Sequence, residues 1–225
     1  MLLLASGGHT QTVLVETLGC YHRIGTTIDD AVGEAFDKTA KLLNIGFPGG
    51  PAVERHSRDG DPFRFSFPTP LKGRAEPHFS FSGLKTAVRR QAQKLAPLNI
   101  KDVSDLCASF EYAVCDVIRD RVIKAYEVAK NRRGHTRLPL VAAGGVARNQ
   151  RLRQTLKKIS HDLGSGLFIP PPDLCSDNGA MVAWAGAQRY INGYHDNLDF
   201  SARSRWPLDE KSTAVYGFGR NGPKV

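Results

Sequence analysis

A turn built on two glycines is the feature that most constrains this chain. The sequence SGGHT at positions 6–10 lies between apolar segments at 2–4 and 12–15. These segments predict two strands, and because glycine has no Cβ the turn can expose successive backbone N–H groups. Such a turn can bind phosphate oxygens through these N–H groups. Alternatively, it only closes a β-hairpin. It is not a Walker loop, since no Gly-Lys-Ser/Thr sequence and no helix follow it.

The composition is that of a globular domain with an uneven distribution of charge. Hydrophobic residues make up 41% and charged residues 24% of the 225 residues. No apolar stretch approaches the ~18 residues of a membrane span, so we expect a cytoplasmic protein with no membrane partner. The four cysteines show no CxxC spacing, which favours a reducing compartment. Residues 1–60 carry a net charge of −2 and residues 61–225 carry +11. A basic face of that size either binds a polyanion such as RNA or solubilises the surface.

Glycine and proline breaks divide the chain into alternating strands and helices, which predicts an α/β fold. We predict strands at 2–5, 11–16, 21–25, 138–142 and 167–169. We predict helices from residue 29 or 30 to about 44, and over about 83–95, 102–131, 147–160 and 177–193. Asp29 or Asp30 is the expected N-cap of the first helix. Residues 1–210 are expected to form one lobe with a helical segment at about 83–131, followed by an irregular tail at 211–225.

Three carboxylates are spaced to share one face of the first helix. Asp30, Glu34 and Asp37 follow an i, i+4, i+7 pattern. Such a face can hold a ribose, a metal ion or a water molecule. It can also be a solvated surface paired with Lys38 and Lys41, which is the commoner arrangement on an isolated helix.

Two later turns carry further polar candidates. The sequence GGVARN at 144–149 joins a strand to a helix, and its glycines let a base or phosphate approach the backbone while Asn149 offers amide donors and an acceptor. The sequence CSDNGA at 175–180 opens a helix, so Asp177 is either an N-cap or a hard-metal ligand. The seven histidines show no HxxxH or HExxH spacing, so no complete histidine-based metal site can be read from the chain.

Seven motifs occur in an order that resembles one family. They are SGGHTQ (6–11), IDDAVGEAFDKTAKLL (28–43), PGGP (48–51), FSFSGLKT (79–86), AAGGVARN (142–149), CSDNGAM (175–181) and RWPLD (205–209). Together they closely resemble the bacterial tRNA N6-adenosine threonylcarbamoyltransferases, over nearly the whole chain to about residue 210.

The resemblance implies the actin-like ATPase superfold shared with sugar kinases and heat-shock chaperones, of which this chain would span the second lobe and part of the first. It implies transfer of a threonylcarbamoyl group from threonylcarbamoyl-AMP to N6 of the adenosine beside the anticodon, in tRNAs that read codons beginning with A. The family pattern has a further region ahead of the equivalent of Ser6, with an HxxxH pair that supplies the other metal ligands. We therefore expect this chain to correspond to the carboxy-terminal part of such an acyltransferase.

The resemblance also assigns site residues. The expected nucleotide-binding residues are Leu4, Ala5, Ser6, Gly7, Gly8, Asp37, Gly50 and Asn149. Asp177 is the expected metal ligand, Glu54 is a further candidate for ribose contact, and no residue is assigned as a general base. The implied cofactor is one divalent metal ion per subunit, iron or zinc, and an adenine nucleotide forms part of the substrate. The implied partners are tRNA, threonylcarbamoyl-AMP, an inactive paralogue subunit and a small P-loop ATPase of the same pathway.

The alternatives to this function are an inactive paralogue, a glycoprotein endopeptidase and a kinase or ATPase. A truncated, catalytically inactive paralogue would keep the glycine turns and bind nucleotide or a partner without turnover. A glycoprotein endopeptidase has little support because the sequence offers no catalytic dyad. A kinase or ATPase rests on the fold class alone.

Overall fold

A five-stranded mixed sheet forms the centre of the computed structural model, which describes residues 1–134, 137–203, 206–212 and 215. The strands are β1 (Leu2–Ala5), β2 (Thr10–Thr17), β3 (Cys20–Thr26), β4 (Leu140–Ala143) and β5 (Leu167–Phe168). Their order across the sheet is β3-β2-β1-β4-β5. The first three strands form an antiparallel meander, whereas β4 is parallel to both β1 and β5. All five predicted strands are thus confirmed.

The parallel pairing of β1 with β4 brings two glycine turns to one edge of the sheet. Leu4 lies opposite Ala143, so both strands run in the same direction and end side by side. The turn at 6–9 follows β1, and Gly144 and Gly145 follow β4. In parallel α/β sheets this carboxyl edge is where ligands bind.

The described residues form six α-helices. They are α1 (Val32–Leu43), α2 (Gly49–Ser57), α3 (Ser82–Leu95), α4 (Ile100–Arg132), α5 (Gln150–Asp162) and α6 (Gly179–Ile191). The helices predicted from periodicity are confirmed to within a few residues. Within the described ranges, no helix is both long enough and apolar enough to cross a bilayer.

One face of the sheet packs against the helices. Leu3 and Leu140 are fully buried in the core, whereas their strand neighbours Leu4 and Val141 are only half-buried on the opposite face. Helix α4 lies across this core, and its Phe110 meets Phe36 of α1 edge to face, with ring centroids 5.2 Å apart. The alternation along β1 and β4 therefore follows the two faces of the sheet.

The predicted cap of α1 is wrong. The N-cap position is occupied by Ala31, which has no capping side chain. Thr10 supplies the missing acceptor, because the N–H of Val32 donates to its Oγ1 over 2.8 Å. Asp29 instead accepts from the N–H of Phe81 over 2.8 Å and so holds the start of α3. In the sequence Asp29 lies beside the start of α1. In the folded chain the start of α3, which is more than 50 residues further on, contacts this carboxylate instead.

The segment 59–78 has no regular secondary structure, yet it is bonded along α4. The N–H of Asp61 donates to Oδ1 of Asp105 over 2.6 Å, and Arg64 donates to Oδ2 of the same carboxylate over 2.8 Å. Further along the helix, Nη1 of Arg121 donates to the carbonyl oxygens of Arg74 and Glu76, each over 3.0 Å. Arg121 is 1% exposed, so these carbonyls have a buried charged donor.

Helix α6 contrasts with the rest of the fold because none of its residues is buried. Trp184 is 68% exposed and Ile191 is 75% exposed. The division into a lobe at 1–210 and a tail at 211–225 stays a prediction. Most of that tail, residues 213–214 and 216–225, lies outside the described residues, as does Arg205 of the RWPLD motif.

Candidate nucleotide site

The first glycine turn is a four-residue loop between β1 and β2. Its closing bond runs from the N–H of Ser6 to the carbonyl of His9 over 2.8 Å, and the N–H of His9 donates to Oγ of Ser6 over 3.0 Å. Gly7 and Gly8 are exposed, and a Cβ on either residue would meet nothing within 4 Å. The turn therefore closes a hairpin and also presents open backbone to solvent.

Helix α1 packs directly against this turn. The N–H of Gly33 donates to the carbonyl of Ser6 over 3.1 Å. A Cβ at Gly33 would lie 2.7 Å from that carbonyl oxygen and 2.8 Å from Cα of Gly7. Glycine is required here because the helix and the turn are in direct backbone contact.

The second glycine turn packs against the end of β1. Gly144 has a φ of +97°, and a Cβ there would lie 2.4 Å from the carbonyl oxygen of Ala5. Gly145 is exposed, and a Cβ on it would meet nothing within 4 Å. The structure thus brings together the two glycine turns that the sequence singled out.

Asp37 joins α1 to the start of α2. The N–H of Gly49 donates to Oδ1 of Asp37 over 2.7 Å, and a Cβ at Gly49 would lie 2.4 Å from Cα of Asp37. A carboxylate at a helix N-terminus is favourable because it accepts from N–H groups that have no partner within the helix. Gly50 is half-buried with nothing within 4 Å of an added Cβ, so its Cα faces open space beside this carboxylate.

Asn149 is the N-cap of α5 and is 7% exposed. Its Oδ1 accepts from the N–H of Leu152 over 2.8 Å, while its Nδ2 donates to Oε1 of Glu111 over 2.6 Å. Glu111 is 2% exposed, and its carboxylate also accepts from Oγ of Ser57 and Nε of Arg151. A charge buried to this degree needs such partners.

Glu111 was missed by sequence reasoning, although a signal was present. It lies in α4 on the same helix face as Cys107, Val114 and Ile118, which are buried apolar residues. A carboxylate within an apolar stripe must be bonded or paired, which marks it as part of a network.

Glu54 connects α2 to α5. Its Oε1 accepts from the N–H of Gln150 over 2.8 Å, and it lies one helical turn after Gly50. The chain of contacts therefore runs from the glycine turns through Gly33, Asp37 and Gly49 to Glu54 and α5. Residues 4–8, Asp37, Gly50 and Asn149 belong to one connected region of the molecule.

The three-carboxylate face does not act as a unit. Oδ1 of Asp30 lies 2.7 Å and Oε1 of Glu34 lies 2.9 Å from Nζ of Lys38. The hydrogen bonds of Lys38 to both carboxylates raise its pKa, which burial alone would lower. The pairing with Lys38 therefore holds for Asp30 and Glu34, although Asp30 is buried rather than solvated, and only Asp37 contacts the start of α2.

Asp177 lies apart from this region as an exposed residue just before α6. It belongs to no group of three potential ligand side chains among the described residues. Asp177 alone does not make up a metal site, because catalytic metal ions are usually held by several protein ligands.

One cavity borders the Glu111 network. Its volume is about 620 Å³, and Glu54, Glu111, Arg151 and Lys158 are among its lining residues. None of the glycine-turn residues borders it. Its lining includes acidic and basic side chains. It is separate from the glycine edge, by which we mean the carboxyl ends of β1 and β4 with the turns at 6–9 and 144–145.

The mixed sheet with glycine turns at the carboxyl edge of β1 and β4 is an α/β architecture, and the family that the chain matches has the actin-like ATPase fold. Residues 1–184 match the family described as TsaD, tRNA N6-adenosine threonylcarbamoyltransferase. The chain belongs to this family, which confirms the resemblance seen in its motifs.

Curated relatives that match the whole chain carry the same name. Proteins named tRNA N6-adenosine threonylcarbamoyltransferase from Brucella anthropi and Brucella suis are each 56% identical to it over 226 aligned residues. The match covers 100% of this chain and 63% of each relative, so the chain spans less than two thirds of their length. A crystal structure of HypF from T. kodakarensis aligns with 75% of this chain and 21% of its own at 20% identity, with a TM-score of 0.48.

Proposed function

We propose that this chain carries the nucleotide-holding part of a tRNA N6-adenosine threonylcarbamoyltransferase. The observation that supports this most is the 56% identity to relatives of that name along the whole chain. The open backbone at Gly7, Gly8 and Gly50 supports the same proposal, because a nucleotide needs room for close backbone contact.

In this proposal, threonylcarbamoyl-AMP binds along the glycine edge. Residues 4–6 hold the turn, the exposed backbone of Gly7 and Gly8 faces its phosphate, and Asp37 and Gly50 lie on its sugar side. Asn149 positions the adenosine end of the site, although its own polar atoms are already bonded to Leu152 and Glu111. We therefore assign Asn149 a positioning role through the fixed start of α5.

The proposed reaction is acyl transfer between two adenosine nucleotides. The N6 amine of the tRNA adenosine attacks the carbamoyl carbon, the bond from that carbon to the phosphate oxygen breaks, and AMP leaves while the amine loses one proton. Backbone N–H groups that face the phosphate stabilise the charge that develops on the leaving group. The amine is a weak nucleophile, so holding it near the carbonyl contributes more than a strong base.

A family metal ion has one expected ligand in this chain, Asp177. Because no second or third ligand accompanies it within the described ranges, we derive no step through the ion. We propose that the further metal ligands come from the part of the relatives' length that this chain does not match.

The tRNA would bind to basic helix surfaces by its backbone. Arg89, Arg90 and Lys94 are exposed on α3, which contains no acidic residue. Lys157 and Lys158 are exposed on α5. An inactive paralogue and a small P-loop ATPase remain proposed partners, and the cytoplasm remains the proposed compartment.

Nucleotide binding is the direct test of the site. AMP, the leaving group of the proposed donor, is titrated into the chain by calorimetry, and Gly50→Leu is compared with Gly83→Leu. Both glycines are second residues of a helix with nothing within 4 Å of an added Cβ. We expect Gly50→Leu to weaken AMP binding by about tenfold or more, equivalent to about 1.4 kcal/mol, and Gly83→Leu to leave it unchanged. Equal effects of the two variants would exclude the proposed sugar-side contact.

A transfer assay separates the enzyme from the inactive paralogue. The chain is incubated with tRNA and enzymatically made threonylcarbamoyl-AMP, and the digested nucleosides are analysed by mass spectrometry. Formation of threonylcarbamoyladenosine supports the enzyme. The inactive paralogue is favoured by Asp177, which stands without further ligands among the described residues. AMP binding without product would favour that alternative for this chain on its own.

A further inference from the structure

Three potential metal ligands converge at the β2–β3 hairpin, away from the glycine edge. Sγ of Cys20 lies 3.7 Å from Oε2 of Glu16 and 3.9 Å from Nε2 of His22. The third side of the triangle, from Nε2 of His22 to Oε2 of Glu16, is 3.5 Å. All three residues are half-buried, so an ion from solvent can reach them.

The hairpin explains why these side chains share one face. Cys20 and His22 are two residues apart in β3 and point to the same side of the sheet. Glu16 lies where the register with β3 shifts between Val15 and Thr17. Leu14 pairs with His22 just before this shift, so Glu16, two residues further along β2, lies on the side of Cys20 and His22 by strand alternation. Gly19, with a φ of +80°, supports the tight turn that follows.

The triangle matches tetrahedral coordination. Zinc bonds of about 2.3 Å to sulfur and about 2.0–2.2 Å to nitrogen or oxygen place tetrahedral ligands about 3.4–3.6 Å apart. The three observed separations exceed these values by only a few tenths of an ångström. Small rotamer adjustments would therefore be enough to close the site.

We propose that Glu16, Cys20 and His22 form a binding site for a zinc-type divalent cation. The combination of thiolate, imidazole and carboxylate favours zinc over magnesium or calcium, which prefer oxygen ligands alone. Three protein ligands leave a fourth position open to water. Binding requires the Cys20 thiol to lose its proton to solvent, and the two anionic ligands then balance the charge of the ion.

Two arginines at the end of α4 lie beside the proposed site, and their positive charge disfavours a bound cation. Nη2 of Arg132 lies 3.2 Å from Nδ1 of His22, and Nη1 of Arg133 lies 3.9 Å from Oε1 of Glu16. When Nε2 of His22 binds a metal, Nδ1 carries the proton and cannot accept from a guanidinium. Arg132 is exposed and must move aside, so this side chain competes with the ion for His22.

This site is independent of the proposed transferase function. It includes neither Asp177 nor any residue of the glycine edge. Its failure would leave the nucleotide proposal intact, and the reverse also holds.

The first experiment titrates Zn²⁺ and Co²⁺ into the full chain. We expect one equivalent to bind, and the cobalt form to show the charge-transfer absorption of a thiolate ligand. Cys20→Ser and His22→Gln should each weaken binding by more than the roughly 10- to 100-fold that accompanies loss of an outer-shell partner. Binding that survives both substitutions, or cobalt without thiolate absorption, would overturn the proposal.

Arg132→Gln tests the competition between the guanidinium and the ion. It should tighten zinc binding, whereas Lys124→Gln, on the same helix but paired with Glu127, should not. An unchanged affinity in Arg132→Gln would show that the ion does not bind at Nε2 of His22 beside Arg132.

Thiol labelling tests the site without any substitution. Cys20 is half-buried, whereas Cys107, Cys115 and Cys175 are buried. Burial raises the pKa of both Cys107 and Cys115 to about 12, so these thiols stay protonated and react slowly. A thiol reagent should therefore modify Cys20 first, and zinc should slow that reaction. Labelling at the same rate with and without zinc would contradict the assignment even if the variants failed to fold.

Discussion

Nδ2 of Asn149 donates to Oε1 of Glu111 over 2.6 Å, and this bond connects the start of α5 to the middle of α4. The same Asn149 side chain caps α5 through the N–H of Leu152. One residue thus satisfies a helix end and a buried carboxylate at once. The second glycine turn leads through a 3₁₀ helix at Gly145–Arg148 to this N-cap residue.

Asn149→Ala should lower the free energy of unfolding by about 2–3 kcal/mol. About 1 kcal/mol comes from removing the N-cap, and the remainder comes from leaving Oε1 of Glu111 without this donor. Asn149→Ser keeps a capping oxygen and should lose less. Urea unfolding measures both. Asn178→Ala, which removes the cap of the exposed helix α6, is the matched control and should leave the main unfolding transition unchanged.

Gly49→Ala and Gly50→Ala should differ sharply although the two positions are adjacent. A Cβ at Gly49 would lie 2.4 Å from Cα of Asp37, whereas one at Gly50 meets nothing within 4 Å. We expect Gly49→Ala to destabilise the fold by about 1–3 kcal/mol, as overpacking does. Gly50→Ala should be neutral or slightly stabilising, because alanine is the better helix former. Equal unfolding midpoints for the two variants would contradict the close approach of α1 and α2.

Asp105 should contribute a stability that is lost in acid. Burial acts to raise the pKa of its carboxyl, but hydrogen bonds from Lys101, the N–H of Asp61 and Arg64 outweigh it and lower the pKa to about 2. Between that value and the ordinary 3.8 the unfolded chain binds more protons, so stability falls as the pH falls. The contribution is complete above about pH 4 and lost as the pH approaches 2.

The measurement for Asp105 compares the wild type with Asp105→Asn in urea at a series of pH values. The gap between their free energies of unfolding should be widest near neutral pH and should narrow in acid. Asp162→Asn, at the exposed end of α5, is the control and should show a much smaller gap. A gap that stays constant down to pH 2 would refute the assigned role of Asp105.

Arg89→Ala and Arg90→Ala should each weaken tRNA binding if the proposed RNA surface is correct. Removing one cation that neutralises a phosphate reduces the dependence of log K on log salt by about 0.7–0.9. Filter binding at several salt concentrations gives this slope. Lys124→Ala is the control because Lys124 pairs with Glu127 in α4. Slopes that match the wild type in both arginine variants would place the tRNA elsewhere.

Secondary structure was predictable because it depends on local patterns. Apolar residues repeat at helical spacing along α4, and glycine turns separate β1 from β2 and β4 from α5. The cap of α1 was not predictable, because Thr10 and Asp29 act on helices that the chain reaches only through its tertiary arrangement.

The side-chain contacts were harder to predict from the sequence than the secondary structure. Helical spacing marked Asp37 as a candidate, but its bond to Gly49 depends on how α1 and α2 pack. The group Glu16, Cys20 and His22 follows no standard ligand spacing, and its convergence depends on the pairing of Leu14 with His22 across the hairpin. The metal-binding role of Asp177 and the nucleotide-binding roles of the glycine-edge residues stay predictions.

The bonding of segment 59–78 along α4 has a consequence for mutational tolerance. A stretch without helix or strand is ordinarily where insertions and deletions accumulate during evolution. Here the segment follows a helix of 33 residues, about 50 Å long, and is fixed to it at Asp105 near one end and Arg121 beyond the middle. A change of length between these two anchors would shift one of them off its partner. We therefore expect variation among homologues in this stretch to favour substitutions over changes in length.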